Sequence, residues 1–175
     1  MKYDLAIIGF GVIGVECLHA IADKIDKNKK INIAIIEKDI KNVPGGVAYS
    51  KLKSKFGFFN NPLRLSHPSF KSWIQNKRNI YKIINFIKKN PSYSLENWLS
   101  TNIKNLLKKN ISGEIYFPRL VYSFYLEDKI FDFFRIKLKK KIKISFFKGD
   151  VEKLFFNKNY LTMKSKNNFS FFKIN

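Results

Sequence analysis

Cysteine, histidine and acid are all scarce in this chain: one Cys, two His and 13 Asp and Glu against 34 Lys and Arg, in 175 residues. The lone thiol, Cys17, excludes an internal disulfide framework and any metal site built from several cysteines. His19 and His67 lie far apart among scattered acids and lack the spacing of a ligand set, so no metal is expected. No run approaches the ~20 apolar residues of a membrane span. The N-terminus enters Tyr3-Asp4-Leu5-Ala6-Ile7-Ile8 without a signal-peptide pattern. A cytoplasmic protein is expected, with no membrane partner.

Arginine is nearly missing as well. Arg64, Arg78, Arg119 and Arg135 stand against 30 lysines, and Asn, Ile and Phe are abundant, a profile of AT-rich coding. A reader of bases or phosphates draws on Arg for bidentate contacts, whereas scattered Lys supplies point charges. The formal charge of +21 therefore does not by itself mark nucleic acid as a partner.

What is present is apolar and aromatic. Hydrophobic residues make up 45% of the chain, with 18 Phe and 8 Tyr, the opposite of a disordered composition. Length and composition predict one domain over 1–175, with a helical insertion at about 69–116. The apolar run Leu5 to Ile8, stopped by Gly9, suits a strand of a parallel sheet buried on both faces. Val12, Val15, Ala20, Ile21 and Ile25 recur at roughly helical spacing, and Ile31 to Glu37 is β-branched and strand-like. Strand, Gly-rich turn, helix, strand spells a βαβ unit. Residues 41–68, rich in Pro and Gly, read as ordered loops.

Helices are expected at about 69–76, 79–89 and 94–109, the last capped by Ser94, and from Pro118 to about Lys139. In the last helix Tyr122, Leu126, Ile130 and Phe134 align at i, i+4 steps as a core face. A strand at Ile142 to Phe147 and a β-meander (Val151 to Phe156, Tyr160 to Lys164, Phe169 to Ile174) follow, with turns at Asn157-Lys158-Asn159 and Asn167-Asn168. The fold class is α/β: a Rossmann-like parallel sheet with inserted helices and a C-terminal meander.

The turn Gly9-Phe10-Gly11-Val12-Ile13-Gly14 carries the chemistry. G-x-G-x-x-G arises by chance in about 6% of chains this long, so context must support it. The motif here follows a strand, opens a helix and leads to a second strand ending in an acid. Gly9 permits the tight turn, Gly11 admits the pyrophosphate and Gly14 lets helix and strand pack closely. The amides of Val12 and Ile13, at the helix N-terminus, favour the anion. Glu37, followed by Lys38, would accept the ribose hydroxyls and repel a 2′-phosphate. FAD and NAD share this fingerprint.

Three further blocks follow: Pro44-Gly45-Gly46-Val47-Ala48-Tyr49; Asn60-Asn61-Pro62-Leu63-Arg64-Leu65-Ser66 with Trp73; and Phe117-Pro118-Arg119-Leu120-Val121-Tyr122. In order and approximate spacing the chain resembles a bacterial family of FAD/NAD(P)-binding proteins, within the two-dinucleotide-domain flavoproteins with a glutathione-reductase-type FAD fold. The resemblance implies Gly45, Gly46 and Tyr49 near the FAD diphosphate or ribityl chain, and Asn60, Arg64 and Ser66 toward the flavin. It implies Val151, in Gly149-Asp150-Val151, near the adenine. Arg119, at a helix start beside a loop, would meet a phosphate or a substrate carboxylate or stand as a surface arginine, and His67, in the loop after Ser66, is a candidate to line the flavin pocket.

No acid or base catalyst stands out, since His19 and Cys17 lie within the first helix as structural, packed residues. A flavin would account for that, because the cofactor performs the redox chemistry. The family pattern continues into a further strand with an Ala-Thr-Gly-like turn and a nicotinamide site. Neither is visible before Asn175, so a partial FAD-binding domain of an oxidoreductase is expected, with doubtful activity alone. NAD(P)H would serve as electron donor only if the missing half, or a partner chain, supplies its site. A basic nucleic-acid-binding or regulatory module reusing a Rossmann unit, and a single-domain NAD-dependent enzyme, are the alternatives.

Overall fold

The computed structural model describes residues 2–50, 57–151, 153–157, 160–165 and 168–174. The chain divides into two compact units, Met1–Gly46 with Leu126–Asn175, and Val47–Tyr125.

The first unit is built on the apolar segments at the start of the chain. Strands β1 (Lys2–Tyr3) and β2 (Leu5–Ile8) are separated only by Asp4. Asp4 keeps its place beside the next strand, its amide donating to Asn32 O at 2.9 Å and its carboxylate accepting Asn32 N–H at 2.7 Å. Helix α1 spans Val12–Lys24 and β3 spans Ile31–Glu37. Strand β4, Ile142–Lys148, completes a parallel sheet of order β2-β3-β4. Its register runs Leu5↔Ile33 to Ile8↔Ile36 on one side of β3, and Ile31↔Ile142 to Glu37↔Lys148 on the other.

Four consecutive residues of β3, Ile33 to Ile36, are buried, so both faces of the central strand are covered. On one face Ala34 and Ile36 join Tyr3, Ala6, Phe147 and Val151 in a small core. On the other, α1 lies over Ile7 and its register partner Ile35, burying Val15, Leu18 and Ala22. Strands β5 (Lys153–Asn157), β6 (Tyr160–Ser165) and β7 (Asn168–Ile174) form the antiparallel meander, and β7 returns parallel to β1. Rossmann-like sheet and meander are thus both present. The expected turn residues Lys158, Asn159 and Asn167 lie outside the described residues.

In the second unit, after the short α2 (Gly46–Tyr49), helices α3 (Pro68–Gln75), α4 (Lys77–Lys89) and α5 (Tyr93–Leu106) pack around Phe70, Ile74, Ile80, Ile83, Ile87 and Leu95, all nearly or fully buried. Asn76 caps α4 through the amide of Arg78, and Asn79 Nδ2 ties back to Trp73 O at 2.8 Å. Helix α6, Arg119–Lys139, begins here and continues into the first unit.

Three expectations are corrected. The cap of α5 is Ser92, one residue before the helix, with no side-chain capping bond, and not Ser94. Cys17 is exposed, not packed, because at about 100° per residue it falls outside the arc of α1 spanned by the buried Gly14, Val15, Leu18 and Ala22. The α6 stripe is only partly core: Leu126 is buried, Tyr122 and Ile130 are half-buried and Phe134 is exposed. A stripe at i, i+4 drifts about 40° per step, so after three steps it has left the packed side, and Phe133 is buried in place of Phe134.

Candidate functional site

The glycine turn links β2 to α1 with little freedom for change. Gly9 has φ +84°, a left-handed conformation that disfavours any side chain. Its amide donates to Ile36 O at 2.8 Å, pinning the turn to the end of β3. A Cβ on Gly14 would lie 2.3 Å from Gly9 O, so the first turn of α1 can approach the strand only with glycine there. Gly11 faces Gly46: a Cβ built on it would stand 3.8 Å from the Gly46 Cα and amide N and 3.9 Å from the Gly45 carbonyl carbon. Two stretches of bare backbone therefore meet beside the start of α1, where Ile13 is exposed and neither a capping side chain nor an acid occupies the first turn. Helix dipole and amides at that end favour an anion.

Glu37 ends β3 beside this turn. Its Oε2 accepts the Phe10 amide at 2.6 Å and its Oε1 accepts the Asp39 amide at 2.8 Å, while its carbonyl accepts Gly149 N–H at 3.1 Å. A carboxylate oxygen offers about two lone pairs, so each oxygen keeps acceptor capacity after these bonds. The carboxylate is held in one orientation before any ligand arrives. Asp39 was missed in the sequence because it contributes a backbone amide, which no residue type announces. Phe10, also missed, buries its ring edge-on against Phe146, with centroids 5.1 Å apart.

The exposed Lys38 turns to the half-buried Asp150, 2.7 Å away, and this bond with its charge raises the Lys38 pKa. Val151 packs on the small core around Ala34 and Ile36. Thus Gly9, Gly11, Val12, Ile13, Gly14, Glu37, Lys38, Gly45, Gly46 and Val151 all belong to the first unit. The bare-backbone approach of Gly11 to Gly46, with a fixed acid at the end of β3, fits the adenosine-diphosphate half of a dinucleotide.

The remaining candidates, Tyr49, Asn60, Arg64, Ser66 and Arg119, lie in the second unit. Residues 57–64 run against 113–119 through main-chain bonds, among them Phe59 N–H to Phe117 O and Leu63 N–H to Ile115 O, both 2.9 Å. Arg119 braces this pairing, its Nε donating to Phe58 O at 2.9 Å and its Nη2 to Asn60 Oδ1 at 3.3 Å. Arg64 pairs with Glu114 at 2.8 Å on the exposed surface. Ser66 closes a short 3-10 turn, its amide donating to Leu63 O at 3.0 Å. Tyr49 packs among Phe59 and Tyr122. His67 caps α3, and His19 pairs with Asp23 on α1. Among the described residues no group of three or more His, Cys, Asp and Glu could hold a metal ion, and no helix is long and apolar enough to cross a membrane.

A parallel sheet with a glycine turn between β2 and α1 and an acid closing β3 defines a dinucleotide-binding α/β domain. The FAD-NAD(P)-binding family profile matches residues 6–170, and the chain belongs to that family. The expected cofactor, FAD, falls within what that family binds. Comparison with curated protein sequences gives no match. Among solved structures the chain is similar to glycine oxidase from Bacillus cereus ATCC 14579, at 20% identity and a TM-score of 0.41, over 98% of this chain and 55% of the oxidase. The chain thus spans little more than half the length of that protein.

Proposed function

We propose that the chain is the FAD-binding part of an FAD/NAD(P)-dependent oxidoreductase and holds the ADP half of FAD on the Gly9–Gly14 turn. The carrying observation is Glu37, fixed by the amides of Phe10 and Asp39 at the mouth of that turn. In this reading the Glu37 carboxylate accepts the ribose hydroxyls, and the amides of Val12 and Ile13 hold the pyrophosphate. Gly11, Gly45 and Gly46 leave room for the diphosphate, and Val151 carries its adenine role through its backbone, since its side chain is packed inward. Lys38 acts through its ion pair with Asp150.

Tyr49 serves the diphosphate or ribityl chain, and Asn60, Arg64 and Ser66 serve the flavin side, with Arg119 positioning Asn60. A bound flavin supplies the electron-pair and single-electron chemistry, and the protein supplies binding and orientation. NAD(P)H serves as donor where the rest of the oxidoreductase, or a partner chain, provides its site. The lone thiol suits a reducing compartment, and cytoplasmic placement belongs to the same proposal.

Competition among FAD, ADP, NAD and NADP for the purified chain tests the reading. FAD and ADP are expected to displace one another. NADP should bind at least about tenfold more weakly, because Glu37 repels its 2′-phosphate. Equal affinity for NADP, or NAD displacing FAD at equal concentration, would count against it.

A further inference from the structure

We propose that Tyr125 is a redox-active tyrosine whose phenolic proton leaves through Ser69 to His67. Three hydrogen bonds in the second unit link His67, Ser69 and Tyr125. The Ser69 amide donates to His67 Nδ1 at 3.3 Å. An amide N–H only donates, so Nδ1 carries a lone pair and the ring hydrogen sits on Nε2. Ser69 Oγ lies closer to the same Nδ1, at 2.7 Å, so the serine hydroxyl hydrogen points to the imidazole and takes the larger share of its one lone pair, the 3.3 Å amide contact the smaller. Its oxygen then accepts from the Tyr125 hydroxyl, 2.5 Å away. The relay has one sense, from a phenol only 2% exposed, through serine, to an exposed imidazole.

Removing an electron from a phenol leaves a strongly acidic radical cation, so a proton acceptor already in line makes the oxidation easier. Here Tyr125 loses one electron to the oxidant and its O–H proton to Ser69 Oγ. The serine passes its own hydroxyl proton to His67 Nδ1. The products are a neutral tyrosyl radical, an intact serine, an imidazolium and an oxidant reduced by one electron. Return of an electron and reversal of the relay restore the phenol.

An electronic path is also present. The Tyr125 ring centroid is 5.0 Å from Tyr122, and Tyr122 is 5.1 Å from Tyr49. Tyr49 closes the Gly-Val-Ala-Tyr block assigned above to the diphosphate or ribityl chain of FAD, and for its natural oxidant, a light-excited flavin, the inference rests on that reading. The relay gives the domain a place to park a stray oxidising equivalent, with its proton delivered toward solvent.

The test uses photogenerated tris(bipyridyl)ruthenium(III) as oxidant and adds no flavin, so a failure of FAD binding cannot be mistaken for a failure of the relay. The neutral tyrosyl radical is followed by transient absorption and electron paramagnetic resonance. Tyr125→Phe, which keeps the ring, should abolish the long-lived radical. Ser69→Ala and the surface change His67→Gln should each lower its yield roughly fivefold or more, the worth of one hydrogen bond. Formation should slow in deuterium oxide for the wild type, and free imidazole should partly rescue His67→Gln. A long-lived radical that survives Tyr125→Phe on the exposed Tyr81, Tyr93 or Tyr116 would overturn the proposal. So would unchanged yield and isotope effect in His67→Gln.

Discussion

The Glu37 carboxylate accepts the main-chain N–H of Phe10 at 2.6 Å, joining the end of β3 to the glycine turn 27 residues earlier. With the Asp39 amide on its other oxygen, this one side chain organises the turn and presents an acid beside it. Hydrogen bonds to a charged acceptor each contribute about 1.5–3 kcal/mol. Glu37→Ala, which removes both acceptors, is therefore expected to lower stability by about 3 kcal/mol or more in a denaturant titration, and to weaken FAD about tenfold or more. Glu37→Gln keeps an acceptor and should lose less stability. A loss of stability with unchanged FAD affinity would leave Glu37 a purely structural role.

Gly14 and Gly11 should separate packing from binding. A Cβ on Gly14 meets Gly9 O at 2.3 Å, whereas one on Gly11 stands 3.8 Å from its nearest neighbour. Gly14→Ala is expected to cost about 1–3 kcal/mol or more through overpacking. Gly11→Ala should leave thermal stability nearly unchanged yet reduce FAD binding by crowding the approach to Gly46. If both substitutions cost stability alike, the gap at Gly11 is not a ligand space.

Arg119 is expected to act as a brace. Arg119→Ala removes the donors to Phe58 O and Asn60 Oδ1, which predicts a loss of about 1–3 kcal/mol. Lysine, lacking the planar fork, should recover only part of it. Denaturant midpoints of the two variants provide the measurement. Wild-type stability in Arg119→Ala would return Arg119 to the role of a free cation awaiting a ligand.

The Lys38–Asp150 pair gives a pH dependence with a definite sign. The folded pKa of Lys38 is raised above its ordinary 10.5 by the bond and charge of Asp150. The contribution of the pair is then fully present below about pH 10 and is lost as pH rises through the raised folded value. The stability difference between wild type and Lys38→Met should be constant from neutral to mildly alkaline pH and shrink above 10.5. A difference that grows with pH there would contradict the assignment.

The first βαβ unit was legible because its signals are local. Leu5 to Ile8, the three glycines and Ile31 to Glu37 each declare a conformation through their own residue types, and the observed β2, α1 and β3 follow them closely. The meander was legible for the same reason. What was hidden depends on partners distant in sequence. The exposure of Cys17 and Phe134 follows from which side of a helix is covered. The clasp of Glu37 on Phe10 and Asp39 uses main-chain amides common to nearly every residue. Arg119 read as a ligand-seeking cation because its acceptor, the Phe58 carbonyl, is 61 residues away. Likewise, the His67–Ser69–Tyr125 relay joins residues 56 positions apart.

The most direct test of the central claim is the visible spectrum of the purified chain after reconstitution with FAD and removal of free cofactor. The account predicts about one flavin per folded chain, with a spectrum shifted from that of free FAD, and a clear loss of flavin in Glu37→Ala. A folded chain, confirmed by circular dichroism, that retains no flavin absorbance would contradict it.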